Sequence, residues 1–113
     1  MIPYVYKILR PSEMTVFLGA GVFDGSPDDR RDGYIHLSTE AQLARTWRRH
    51  FAGETSIFFV RIITNDVSDQ LRWEPSTRQE IFPHLYAPLP MSAVQMILTP
   101  PADRALRTIK TLT

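Results

Sequence analysis

Proline placement constrains this chain more than any other feature. Six of its nine prolines lie between positions 75 and 101, where they break any long helix and confine strands to short or edge positions. The C-terminal third is therefore predicted to be short strands joined by turns, with Ala93-Val94-Gln95-Met96-Ile97-Leu98 as the last clear strand. Beyond it, Leu106 and Ile109 at i, i+3 suit a terminal helix or an edge strand over residues 102–110. Longer helices must come from upstream.

Upstream, Tyr4-Val5-Tyr6-Lys7-Ile8-Leu9 is aromatic and β-branched, which suits a pleated surface, and Pro11 stops it. Met14, Phe17 and Leu18 behind Ser12 predict a short helix with its apolar side on the sheet, leaving through Gly19 and Gly21. Residues 24–33, Asp24-Gly25-Ser26-Pro27-Asp28-Asp29-Arg30-Arg31-Asp32-Gly33, hold turn formers and charges with almost nothing to bury, so an exposed functional loop is expected. In Tyr34-Ile35-His36-Leu37-Ser38 a strand turns Ile35 and Leu37 one way and Tyr34, His36 and Ser38 the other. Thr39 with Gln42 is a capping box, opening a helix with Leu43, Trp47 and Phe51 at i, i+4, i+8 that stops at Ala52-Gly53. The near-continuous apolar run from Ser56 to Ile63 predicts a central buried strand, closed by Asn65-Asp66 and a helical turn at 67–71. Without repeats or linkers, residues 1–113 are expected to form one α+β domain.

Composition narrows the chemistry. The chain has no cysteine, which removes disulfides, thiolate nucleophiles and cysteine-based metal sites. Thirteen basic against twelve acidic residues give a net charge of +1, which supplies no global field for nucleic acid or an anionic membrane. Neither partner is expected, although a nucleotide or other small-molecule ligand is compatible with that balance. No apolar run spans a bilayer and the N-terminus lacks a secretory pattern, so a cytoplasmic location is expected. The three histidines show no metal-ligand spacing, and no nucleophile elbow accompanies Ser38, so neither a metal nor a serine triad is expected.

Three clusters remain. His36 sits on the polar face of a strand feeding a helix N-terminus, beside Ser38 and Thr39, where an imidazole can meet a phosphate or ribose hydroxyl. The plainer alternative is a buried histidine bonded to backbone, with Ser38 and Thr39 as caps. Arg45, Arg48, Arg49 and His50 form a basic edge, more simply read as a solvated complement to the helix dipole. Trp73-Glu74-Pro75 and Phe82-Pro83-His84-Leu85-Tyr86 combine ring surface with ionisable groups suited to a nucleoside pocket. There the plainer reading makes Trp73, Phe82 and Leu85 core and His84 a turn cap, leaving Glu74, His84 and Tyr86 as candidates.

The ordered motifs Gly21-Val22-Phe23-Asp24-Gly25-Ser26, Asp32-Gly33-Tyr34-Ile35-His36-Leu37-Ser38-Thr39, His50-Phe51-Ala52-Gly53, Trp73-Glu74 and Phe82-Pro83-His84-Leu85-Tyr86 resemble a bacterial family of unknown function, DUF952. That resemblance implies an ADP-ribosyltransferase-like fold, a split, bent β-sheet sandwich with short flanking helices around a central cleft for NAD. His36-Leu37-Ser38 is similar to the His-Leu-Ser stretch lining that cleft in tRNA 2′-phosphotransferases. It implies that His36, Ser38 and Thr39 face a nucleotide, with NAD as the candidate cofactor.

Two departures stand against transfer chemistry. Where those transferases carry a His-Gly-Thr grip on the NAD ribose, this chain reads Tyr6-Lys7-Ile8-Leu9, and Thr77-Arg78-Gln79-Glu80 replaces an expected Arg-Gly-Gly pattern. Two readings follow. In an NAD-dependent ADP-ribosyl or phospho transferase, His36, Glu74 and Tyr86 would be catalytic, with Tyr34, Ser38, Thr39, Arg78 and His84 binding the ligand. The alternative is a non-catalytic ligand-binding or protein-interaction module on the same scaffold. A glutathione or redox transferase is disfavoured by the absent thiol.

Overall fold

The computed structural model describes residues 2–100; the segment 102–110 lies outside them. The first strand, β1 (Tyr4–Leu9), pairs antiparallel along its length with β4 (Phe58–Ile63), which pairs with β8 (Val94–Leu98) on its other side. The apolar run is thus the central strand of a three-stranded sheet buried on both faces, which explains why it carries no polar alternation. Val60 and Ile62 join Val5 and Leu9 in one core cluster, while Phe59 joins Tyr6 and Ile8 in another. Over that second face lies α3 (Glu40–Phe51), which buries Leu43 and Trp47, with the Trp47 indole edge-on to Phe59. The capping box is present: the Thr39 hydroxyl accepts from the Gln42 amide at 3.2 Å and the Gln42 side chain accepts from the Thr39 amide at 3.1 Å.

The other face is covered by α1 (Pro11–Ala20) and by a second three-stranded sheet, ordered β3 (Ile35–His36), β6 (Ile81–Leu85), β5 (Leu71–Pro75). From α1 only Met14 and Phe17 are buried; Leu18, placed by spacing on the apolar side, is exposed. Ile35, Leu37 and Leu85 complete the core on this side, as strand alternation requires. The pair β2 (Val22–Phe23) and β7 (Leu89–Pro90) closes one end. A helical turn, α4 (Thr64–Val67), followed by a 3-10 turn at Ser68–Gln70, begins three residues before the expected position and links β4 to β5. The described part of the proline-rich third is, as anticipated, short strands and turns. No described helix is long and apolar enough to cross a membrane.

Of the loop expected over 24–33, residues 24–26 are irregular and most of the rest is helical. Pro27–Asp32 form a helix, α2, whose cap Ser26 accepts from the Asp29 amide while the Asp29 carboxylate accepts from the Ser26 amide. Pro27 occupies the first turn and Gly33, at φ 86°, ends the helix in the left-handed conformation. The segment lacks apolar residues because its one buried side chain is Asp29, which is neutralised by tertiary partners instead of by hydrophobic burial.

The two larger sheets touch edge to edge at a single bridge, where Tyr6 and Ser38 exchange backbone hydrogen bonds of 2.8 and 2.9 Å. On either side of it β1 pairs with β4 and β3 with β6, so the combined sheet is split between β1 and β3.

Candidate functional site

The split opens a cleft of about 620 Å³, within the size range of small-molecule sites. Lys7 and His36 lie on its two edges, and α2 and α3 supply its sides. A second depression, of about 380 Å³ beside Thr64 and Trp73, carries no titratable side chain and is a poor candidate for chemistry.

Asp29 organises the floor. Its side chain is 2% exposed and accepts from Lys7 Nζ at 2.9 Å, the Ser26 amide at 2.9 Å and the His36 amide at 3.1 Å. The His36 Nδ1 completes the set at 2.6 Å. Burial pushes the Asp29 pKa up, but the His36 hydrogen bond, the Lys7 charge and the Ser26 amide outweigh it and hold the carboxyl well below the usual range. The other nitrogen of His36, Nε2, lies 2.9 Å from Asp32, whose pKa is lowered chiefly by its hydrogen bond from Arg31. His36 is therefore neither buried nor tied only to backbone; its ring is clasped between two carboxylates.

His84 faces His36 as its register partner across β3 and β6, which puts both side chains on one face of the sheet. Their ring centroids are 5.8 Å apart, edge to face. Tyr34 stacks on His84 at 4.0 Å and leans on His36 at 4.6 Å. Burial, then the charges of Asp32 and Glu74, raise the Tyr34 pKa. The His84 Nδ1 meets Glu74 Oε1 at 2.8 Å, and the Tyr86 hydroxyl donates to the same oxygen at 2.7 Å. These bonds, Tyr86's first, lower the Glu74 pKa, and the bond to Glu74 raises that of Tyr86.

Of the residues singled out from sequence, Tyr34, His36, Ser38 and His84 line the cleft. Glu74 and Tyr86 stand behind His84 and are not part of the wall. Thr39 is spent on its cap, and Arg78 is exposed in the β5–β6 turn. Three assignments are corrected. His84 is a buried strand residue bonded to a carboxylate, not a turn cap; Trp73 is 42% exposed on the edge strand β5, not core; and Phe82 is half-buried and lines the cleft, outside the core clusters. At the far side, Arg45 pairs with Glu80, whereas Arg49 and His50, in the last turn of α3, line the cleft with no anionic partner among the described residues. Asp29 and Asp32 were missed as site residues; the signal was Ser26-Pro27-Asp28-Asp29, a capping box with proline at the first helical position. Among the described residues no group of three metal-ligating side chains converges.

The description "protein of unknown function (DUF952)" matches residues 8–97, spanning both sheets and the cleft between them. The chain belongs to the DUF952 family. It is similar to the crystal structure of protein CC0527 from Caulobacter crescentus, at 32% identity over 96% of this chain and 97% of that one, with a TM-score of 0.83. The solution NMR structure of CC0527 gives 33% identity, 97% coverage of both chains and a TM-score of 0.79. No curated protein matches the sequence. As a DUF952 domain, the chain thus has relatives that share its fold throughout and carry no stated activity.

Proposed function

We infer that the cleft between β1 and β3 binds a nucleotide or similarly phosphorylated small molecule on an ADP-ribosyltransferase-like scaffold. The observation that carries this reading is a cleft of ligand size in which Arg49 and His50 have no anionic partner among the described residues and share the wall with His36 and His84. A guanidinium can grip phosphate through two parallel N–H bonds, and the fixed rings offer donors and stacking surface for the remainder. Two sheets joined at one bridge, with His36-Leu37-Ser38 on the rim of the gap, support the scaffold likeness. Lys7, in the strand where the transferases hold the NAD ribose, is occupied by Asp29. Glu74 is held by Tyr86 and His84 outside the wall. Those placements favour a binding role, or a chemistry carried by the histidines, over ADP-ribosyl transfer by Glu74.

Calorimetric titration and thermal shift with ADP-ribose, NAD and ATP test the reading. A ligand that selects the native state stabilises it by about 2.7 kcal/mol at a hundredfold excess over Kd. Saturable binding is expected for at least one of the three, weakened about tenfold or more by Arg49→Ala. No heat and no thermal shift with any of them at millimolar concentration would refute the proposal.

A further inference from the structure

We propose that His84 and His36 are the base and the acid of a phosphodiester-cleaving site in this cleft. The proposal rests on the phosphorylated-ligand reading above and adds a reaction to it. Each histidine has its Nδ1 fixed by a carboxylate, Glu74 at 2.8 Å for His84 and Asp29 at 2.6 Å for His36. Such a bond sets the orientation of the ring and decides what the other nitrogen can do.

The two other nitrogens differ. The Nε2 of His84 has no partner among the described residues, and the ring borders the cleft. With Nδ1–H donated to Glu74, that nitrogen offers a lone pair, as a proton acceptor requires. His36 lies between Asp29 and Asp32, and ionised carboxylates only accept hydrogen bonds, so satisfying both demands an N–H on each ring nitrogen. That is the imidazolium, which has a proton to give. Asp29 is 2% exposed and fixed, whereas Asp32 is 31% exposed and shared with Arg31, so a substrate oxygen can displace Asp32 from Nε2 while Nδ1–H stays on Asp29. Tyr34, in contact with both rings, holds them against rotation.

The step balances with water as the co-reactant. Water gives a proton to His84 Nε2 as its oxygen forms a bond to phosphorus. The bond from phosphorus to the ester oxygen breaks, its electron pair leaves on that oxygen, and the oxygen takes the Nε2 proton of His36. The products are a phosphomonoester and an alcohol, and exchange with solvent returns each histidine to its starting form. The charged and titratable groups facing His84 are Glu74 and Arg72 from β5, Tyr86 just past the end of β6, and Tyr34 and His36 across the pair. Those facing His36 are Asp29 and Asp32 from α2, Lys7 from β1, and Tyr34 and His84.

Turnover of bis(4-nitrophenyl) phosphate and of 2′,3′-cyclic AMP by the full chain, followed across pH, decides the matter. The expected profile is bell-shaped, and His84→Asn and His36→Asn each lower kcat by about 100-fold or more. Glu74→Gln, acting through His84, lowers kcat on the order of tenfold with little change in KM. Circular dichroism reports whether each variant is folded. Should His36→Asn fail to fold, the wild-type profile still tests the acid, since a profile with one limb overturns its role. Full turnover by folded His84→Asn overturns the base. Wild-type protein that binds ADP-ribose but turns over neither diester refutes the chemistry and leaves the binding site standing; failure of both binding and turnover refutes both.

Discussion

Asp29→Asn removes one charge from the floor of the cleft and tests how the split sheet is held together. The carboxylate ties α2 to β1 through Lys7 and to β3 through His36, and both attachments converge on a side chain that is 2% exposed. Asparagine has almost the same shape, but it leaves Lys7, 8% exposed at its side chain, as a buried ammonium without a counter-charge. Its amide nitrogen also cannot accept from donors now served by two carboxylate oxygens. Breaking a buried pair on one side costs about 3–5 kcal/mol, a large share of the roughly 5–15 kcal/mol that stabilises a domain. At about 4 °C per kcal/mol for a chain of this length, the midpoint should fall by roughly 12–20 °C. Urea and thermal denaturation, followed by circular dichroism, measure the loss. Combining Asp29→Asn with Lys7→Met removes the stranded charge and should bring stability back to within about 2 kcal/mol of wild type. A single substitution costing under about 1 kcal/mol, or a double variant no better than the single, would refute the account of Asp29 as the counter-charge of Lys7.

The same carboxylate gives a pH signature. Its pKa is depressed in the folded state, so its stabilisation is present above the unfolded value of about 3.9 and is lost as the pH falls below that. The urea midpoint should drop steeply below about pH 4, and the Asp29→Asn variant should show a shallower acid limb. Ser26→Ala removes the hydroxyl that accepts from the Asp29 amide at the start of α2, and chemical denaturation should register a loss of about 1 kcal/mol. Gly33→Ala meets no atom within 4 Å, so its cost, about 1 kcal/mol in the same assay, comes only from φ 86° at the helix exit. Phe59→Ala empties a fully buried site against Trp47 and should cost about 3–5 kcal/mol by the same measure.

The sequence made legible those elements that bury many apolar side chains. In α3 the spacing of Leu43 and Trp47, in β1 the aromatic and β-branched composition around Val5, and in β4 the near-continuous apolar run around Val60 all coincide with burial because hydrophobic transfer dominates there. The strand alternation at Tyr34, His36 and Ser38 likewise separated a cleft face from a core face. Segment 24–33 misled for the opposite reason. Its helix is held by a capping box and by an ion pair to Lys7, 22 positions away, and neither leaves a hydrophobic period to detect. Trp73 misled because a large aromatic in a strand pattern implies core, whereas its strand lies at a sheet edge with its ring half out. Glu74 could be recognised as a candidate by residue type, but only the pairing of β5 with β6 shows it behind His84.

A net charge of +1 is compatible with the anion site proposed above because the charges around the cleft are unevenly paired. Lys7 is cancelled by Asp29 of α2 and Arg45 by Glu80 of the β5–β6 turn, two struts between elements, while Arg31 is cancelled within α2 by Asp28 and Asp32. Among the described residues Arg49 and His50 lack such a strut, and both sit on the last turn of α3, where the helix dipole stabilises cations without a carboxylate. The dipole therefore lets positive charge stay open to a ligand on a protein that is otherwise internally neutralised. Neutralising one further cation on this wall would remove much of the attraction, which is why binding should respond to Arg49→Ala far more than to loss of the exposed Arg78, which does not line the cleft.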